Sequence, residues 1–186
     1  YYQFRTLFNG GSSLMERLGE LCSSAKVRVE DFVQVYSLRK WGFVGKTVAV
    51  EQIYVHSKMM IIDDCIAHVG SANINDRSLC GNRDSEISAR IMDEKWVAGA
   101  MNHREVLVGA RVHNLRKKLF QEHLGVIDGD EIDLKDPTCT EVWNFWIERA
   151  DRNGYYYDRK HDIDKVWSSS LRDVVADNSR YGPSQF

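Results

Sequence analysis

The sequence predicts an α/β fold, a mixed β-sheet flanked by helices. Three observations carry that expectation. Runs of β-branched and aromatic residues fill the first half, from Phe32 to Tyr36 and again from Val48 onward. Apolar residues at helical spacing dominate the second half. Two Ser/Thr-x-x-Glu boxes, Ser13 to Glu16 and Thr138 to Glu141, mark helix starts. Strands first and helices later is the order of a layered domain, and a hydrophobic content of 43% in 186 residues suffices for a core.

Taken in chain order, Tyr2 to Phe8 reads as a strand closed by Gly10-Gly11. A helix over about 13–24 follows from its capping box and from Leu14, Leu18 and Leu21. Phe32 to Tyr36 reads as a buried strand, and Arg39 to Lys46, with Trp41, Gly42, Phe43 and Gly45, as a loop. Trp41 and Phe43 are the kind of rings favoured at a bilayer interface. Val48 to Ile62 is the most strand-like stretch. Asp63-Asp64 then forms a turn, and Cys65 to Val69 returns as the second arm of a hairpin. Gly70 to Arg83 is an ordered polar loop, and Glu86 to Met92 a further strand. Val106, Val112, Leu115 and Leu119 predict a helix capped by Gly125. Asp128 to Asp136 is an acidic connector. Thr138 opens a last helix with Val142, Trp146 and Ala150, ended by Asn153-Gly154. Residues 1–158 form the domain, and 159–186 a polar tail.

Net charge is −2 with a pI near 6.3, which disfavours a nucleic-acid-coating surface. Cys22, Cys65, Cys80 and Cys139 form no CxxC pair, so they read as reduced structural thiols of a cytosolic protein rather than as a zinc site. No apolar run approaches the ~18–20 residues that span a bilayer. Strand-like residues begin at once, without an initiator Met, so the chain is expected to be part of a longer polypeptide.

The chemistry concentrates between His56 and Asn73. Side chains two apart on a strand share a face, so His56 and Lys58 can meet one phosphate together. Asp63, seven residues after His56, faces the other side and is expected to pin the turn by hydrogen bonds or ion pairing. Ser71 and Asn73 follow the return strand, which brings them back beside Lys58. An imidazole suits nucleophilic attack or proton donation. An ammonium and an amide suit the charge that builds on phosphate oxygens. No carboxylate cluster sits where a catalytic metal would need it, so a metal-free and cofactor-free route is expected. Singly, a strand histidine, an edge lysine and an aspartate before a turn are ordinary. At this spacing, with Gly-Ser-x-Asn following, they form a constellation.

The string His56-x-Lys58-x4-Asp63-x6-Gly70-Ser71-x-Asn73 resembles the HKD signature of the phospholipase D superfamily. Ile53 to Lys58, Gly70 to Ser78 and Arg83 to Ile87 are similar to the second HKD repeat of the eukaryotic phosphatidylcholine-hydrolysing enzymes. So are His123-Leu-Gly125 and Asp136-Pro137 with Glu141-Val-Trp143. The resemblance implies a phospholipase D-like fold and a phospholipid substrate at a membrane surface. It implies a two-step reaction in which one HKD histidine forms a phosphohistidine while the other protonates the leaving choline. His56, from the second repeat, would be the general acid, with the reverse assignment open. Asp63 completes the motif. Lys58 and Asn73 would hold phosphate oxygens, Ser71 would support them, and Glu86 would orient an HKD imidazole of the opposite half.

The sequence departs from that pattern in one respect: no second His-x-Lys-x4-Asp occurs. The partner is therefore expected to be the missing N-terminal HKD half of the same protein, with phosphoinositide activation through domains outside this chain and a cytoplasmic, peripherally membrane-bound location. Two other outcomes fit the same residues. One is a single-HKD phosphodiesterase, a nuclease or cardiolipin hydrolase, rebuilt as a C2 dimer. The other is a catalytically inert piece that keeps the fold.

Overall fold

The computed structural model describes residues 2–126 and 132–161. They form five helices and seven strands: α1 Tyr2–Leu7, α2 Leu14–Ala25, β1 Arg39–Val44, β2 Thr47–Gln52, β3 Lys58–Ile62, β4 Ile66–Gly70, α3 Asp76–Leu79, β5 Ser88–Met92, β6 Trp96–Met101, β7 Arg104–Gly109, α4 Ala110–Leu124 and α5 Thr140–His161. The class is mixed α/β, with several antiparallel sheets flanked by helices. β1 pairs with β2, β4 lies between β3 and β5, and β6 pairs with β7.

Locally encoded features form where the residues dictate them. Ser13 caps α2, accepting from the Glu16 N–H, while Glu16 accepts from the Ser13 N–H at 2.9 Å. Asp63 and Asp64 both take left-handed backbone angles in the three-residue turn, completed by Cys65, that joins β3 to β4. Gly125 closes α4 at φ 64°.

Other expectations are corrected. Tyr2–Leu7 is helical, and the rings of Phe4 and Phe8 meet one turn apart, tilted, with centroids 5.5 Å apart. Phe32 to Tyr36 pairs with no strand among the described residues. Phe32 is exposed, and the Tyr36 ring packs on Trp146 of α5 at 5.0 Å, so its apolar character serves a helix contact. Burial there, with the Asp151 carboxylate nearby, pushes the Tyr36 hydroxyl up to about 12. Arg39 to Lys46 is no loop: β1 runs to Val44 and turns back at Gly45-Lys46. The strand-like stretch from Val48 to Ile62 is broken between Gln52 and Lys58. Val106 belongs to β7 rather than to α4. Thr138 does not cap α5, since its hydroxyl turns to Asp136, and α5 continues through Asn153-Gly154 to His161. Residue 127, part of the acidic connector (128–131) and residues 162–186 lie outside the described residues.

A core of Leu124, Leu134, Cys139 and Val142 seals α4 against α5, flanked by Phe120, Phe145 and Trp146. Three buried carboxylates then hold backbone in place. Asp64 is 3% exposed; it accepts from Arg116 Nη2 at 2.6 Å and pairs with His113 Nδ1 at 2.7 Å. Arg116 also donates to the Leu134 carbonyl and, at 3.0 Å, to that of Lys135. Asp93 accepts from the Arg111 and Val112 N–H groups, both at 2.8 Å, and so caps α4 from outside it. Gly109 is needed there, because a Cβ would stand 2.6 Å from the Asp93 carboxylate. Asp136 holds the β6–β7 turn through the Asn102 and His103 N–H groups at 3.0 and 2.7 Å.

Ion pairing at the β3–β4 turn thus falls to Asp64, not to Asp63, which is exposed and makes no hydrogen bond or ion pair among the described residues. Removing one member of a buried pair strands the other. Asp64→Ala is expected to cost about 3–5 kcal/mol in a denaturant titration, and Asp63→Ala only about 1–2 kcal/mol, from its left-handed backbone. Burial acts to raise the Asp136 pKa, but hydrogen bonds from His103, Thr138 and Asn102 outweigh it and hold the carboxyl below the usual range. Its stabilisation is therefore present above the unfolded carboxyl value and lost as pH falls through the folded one. Asp136→Asn should lower the melting temperature at pH 7 and leave a shallower acid-side decline than the parent shows.

Candidate functional site

The register of the three-stranded sheet builds the site. Lys58 opens β3 directly opposite Gly70, the last residue of β4, and Gly70 lies opposite Ser88, the first residue of β5. One end of the sheet therefore gathers the His-x-Lys segment, the Gly-Ser-x-Asn segment and the approach to β5. Gly70 is obligatory in this packing. A Cβ there would meet the Ile87 carbonyl oxygen at 2.5 Å and the Ser88 Cα at 2.9 Å.

His56 lies just before β3, in the irregular Ile53–Ser57 stretch. Its exposed ring stacks on Tyr54, with centroids 5.9 Å apart and planes 19° apart. The half-buried Lys58 folds its ammonium back to the His56 carbonyl at 2.6 Å. The expected shared strand face does not reach His56, which lies outside β3; the contact between the two residues runs from the Lys58 ammonium to the His56 backbone carbonyl.

Ser71 is locked to the start of β5. Its N–H donates to the Ile87 carbonyl at 3.0 Å, and its hydroxyl accepts from the Ile87 N–H at 3.0 Å while donating to the Glu86 carboxylate. Hydrogen bonds from the Ser71 and Ser78 hydroxyls hold the Glu86 carboxyl below its ordinary range, with Lys58 adding a smaller pull and burial and Asp84 opposing. Glu86 is thus an anion, and the Ser71 hydroxyl fixes its direction. Asn73 is half-buried, and its side-chain amide makes no hydrogen bond among the described residues.

Asp63 lies on the reverse side of β3. With Ser57, Met59 and Ile61 it lines a cavity of about 470 Å³ against Leu119 and Phe120 of α4. That placement separates it from Lys58, as strand alternation requires. The described residues gather no group of three His, Cys, Asp or Glu side chains suited to a metal. No helix among them is long and apolar enough to cross a membrane.

The profile of the Phospholipase D family matches residues 40–177. The chain belongs to the phospholipase D family. It is 38% identical over 162 residues to phospholipase D zeta 2 of Arabidopsis thaliana, covering 86% of this chain and 15% of that protein. It is 40% identical over 163 residues to a phospholipase D of Phytophthora infestans, 87% of this chain and 9% of that protein. To phospholipase D2 of Bos taurus it is 36% identical over 159 residues, 86% and 17% respectively. The chain therefore spans less than a fifth of the length of these relatives.

Two supports of this candidate site had not been picked out from the sequence. Asn75, 8% exposed, caps α3 by accepting from the Ser78 N–H at 3.0 Å, which holds Ser78 towards Glu86. Arg77 grips Asp84 through two nitrogens at 3.0 and 3.1 Å and closes the loop from Gly70 to Arg83. The Asn-x-x-Ser spacing was a readable cap signal within that loop; the Arg77–Asp84 pairing had no local signature. Ser71→Ala removes the strongest hydrogen bond to the Glu86 anion. The Glu86 carboxyl should then titrate at higher pH by carbon-13 NMR, whereas an unchanged midpoint would mean that Ser78 suffices.

Proposed function

We propose that this chain supplies the second HKD half of a phospholipase D that hydrolyses phosphatidylcholine to phosphatidic acid and choline. The observation that carries the proposal is the convergence of His56, Lys58 and the Ser71–Asn73 segment at one end of the β3–β4–β5 sheet, in a chain that matches phospholipase D relatives over most of its length. The other HKD half, from a segment of the same protein outside this chain, would bring the second histidine.

In the proposed reaction that second histidine attacks phosphorus, and the P–O bond to choline breaks as the P–N bond forms. His56, protonated, gives its proton to the departing choline oxygen. Lys58 and the Asn73 amide donate to the non-bridging oxygens, where negative charge accumulates. Neutral His56 then takes a proton from water, whose oxygen attacks phosphorus and breaks the P–N bond to release phosphatidic acid. A primary alcohol in place of water gives the transphosphatidylated lipid. Glu86 keeps the Ser71 hydroxyl in place, and its negative charge suits the orientation of an imidazole from the other half. Asp63 contributes through the turn. Peripheral attachment to the cytoplasmic face of a membrane, with phosphoinositide activation through other segments, belongs to the same proposal.

The test is phosphatidylethanol formation by the full-length polypeptide in the presence of ethanol. Loss of a general acid costs about 10²–10⁴-fold, so His56→Ala should lower product by that factor with an unchanged melting curve. Undiminished product in His56→Ala, or nicking of supercoiled DNA with no choline released, would overturn the assignment.

A further inference from the structure

The β1–β2 hairpin takes no part in the site, and among the described residues it pairs with no other strand. A two-stranded ribbon alone is marginal in water. Its outward residues are those that water penalises: Trp41, Phe43 and Val44 are 56%, 67% and 72% exposed. The Trp41 and Phe43 rings lie edge to face at 5.9 Å, opposite Val50 and Val48 in the strand register. Exposed Lys40 and Lys46 stand beside them, and positions 39–52 carry three basic residues against one acidic residue, Glu51.

A ring pair flanked by ammonium groups fits the boundary between bilayer and water. There, aromatic rings settle at headgroup depth and lysines reach anionic phosphates. The chain path strengthens this choice over a protein partner. Beyond Gln52 the exposed apolar run continues through Ile53, Tyr54 and Val55 and ends at His56. Four residues from the end of β2 to His56 reach at most ~14 Å. A membrane holding the hairpin would therefore hold the histidine near its surface.

We propose that the β1–β2 hairpin docks into the interface of a bilayer carrying anionic lipid, with Trp41 and Phe43 as its inserted rings, and so sets His56 at headgroup depth. The proposal rests on the lipid reading of the site, and its test reads binding rather than turnover.

The full-length polypeptide is floated with phosphatidylcholine vesicles with and without phosphatidic acid. Trp41→Ala combined with Phe43→Ala should weaken vesicle binding about tenfold. Lys40→Gln with Lys46→Gln should weaken binding only to the phosphatidic acid vesicles and blunt its salt dependence. Because a damaged hairpin would mimic lost binding, Phe43→Cys carrying a nitrobenzoxadiazole label supplies a second readout. Its emission should shift to the blue when vesicles are added. Wild-type binding by the double aromatic variant would overturn the proposal. So would a label unmoved while vesicles are bound, or one already blue-shifted without them, which would mean that a protein segment covers the hairpin. A polypeptide that shows the label shift yet hydrolyses no phospholipid would keep the hairpin assignment and remove the functional one.

Discussion

Asp64 sits beneath the β3–β4 turn with almost no contact with water. A carboxylate so placed must be paired, and its partners decide where the rest of the chain goes. Arg116 and His113 bring α4 to the turn. Through the carbonyls of Leu134 and Lys135, Arg116 also fastens the segment that leads to α5. The Asp64 carbonyl accepts from the Gly109 N–H at 3.0 Å and ties in the end of β7. One buried ion pair thus joins the hairpin, the β6–β7 ribbon and the helical layer.

The same hairpin carries the candidate site at its other end. β3 and β4 are five residues each, so the anchored turn and the Lys58–Gly70 pair are two ends of one short ribbon. Fixing one end limits how far the other can rotate, and the close approach of β4 to β5 at Gly70 limits it further. The groups left for a ligand are then few: an exposed imidazole, an ammonium beside the backbone of the same histidine, an amide with no hydrogen bond among the described residues and a carboxylate held ionised by two hydroxyls. The arrangement suits a phosphodiester, whose charge lies on non-bridging oxygens while a leaving oxygen needs a proton.

What the sequence revealed was local. The Ser13–Glu16 box, the Asp63-Asp64 turn and the convergence of His-x-Lys with Gly-Ser-x-Asn depend on neighbours within one turn or one hairpin, and the residue types declare them. What it concealed was carried by carboxylates acting at a distance. Asp64 meets Arg116 across 52 positions, Asp136 reaches the Asn102–His103 turn across more than thirty, and Asp93 caps a helix 18 residues on. No periodicity marks such pairs. Apolar runs misled where the partner was a helix: Tyr36 has the neighbours of a buried strand residue, but it packs on Trp146 instead of extending a sheet. Phe4 and Phe8 support a helical turn that β-propensity argued against.

The most direct measurement is a crystal structure of the full-length polypeptide soaked with tungstate, a tetrahedral stand-in for the phosphate. The account predicts the oxyanion within hydrogen-bond distance of a His56 ring nitrogen, the Lys58 ammonium and the Asn73 amide, with Asp63 on the far side of β3. An oxyanion seated elsewhere, with His56 and Lys58 pointing apart or buried under packed side chains, would contradict it.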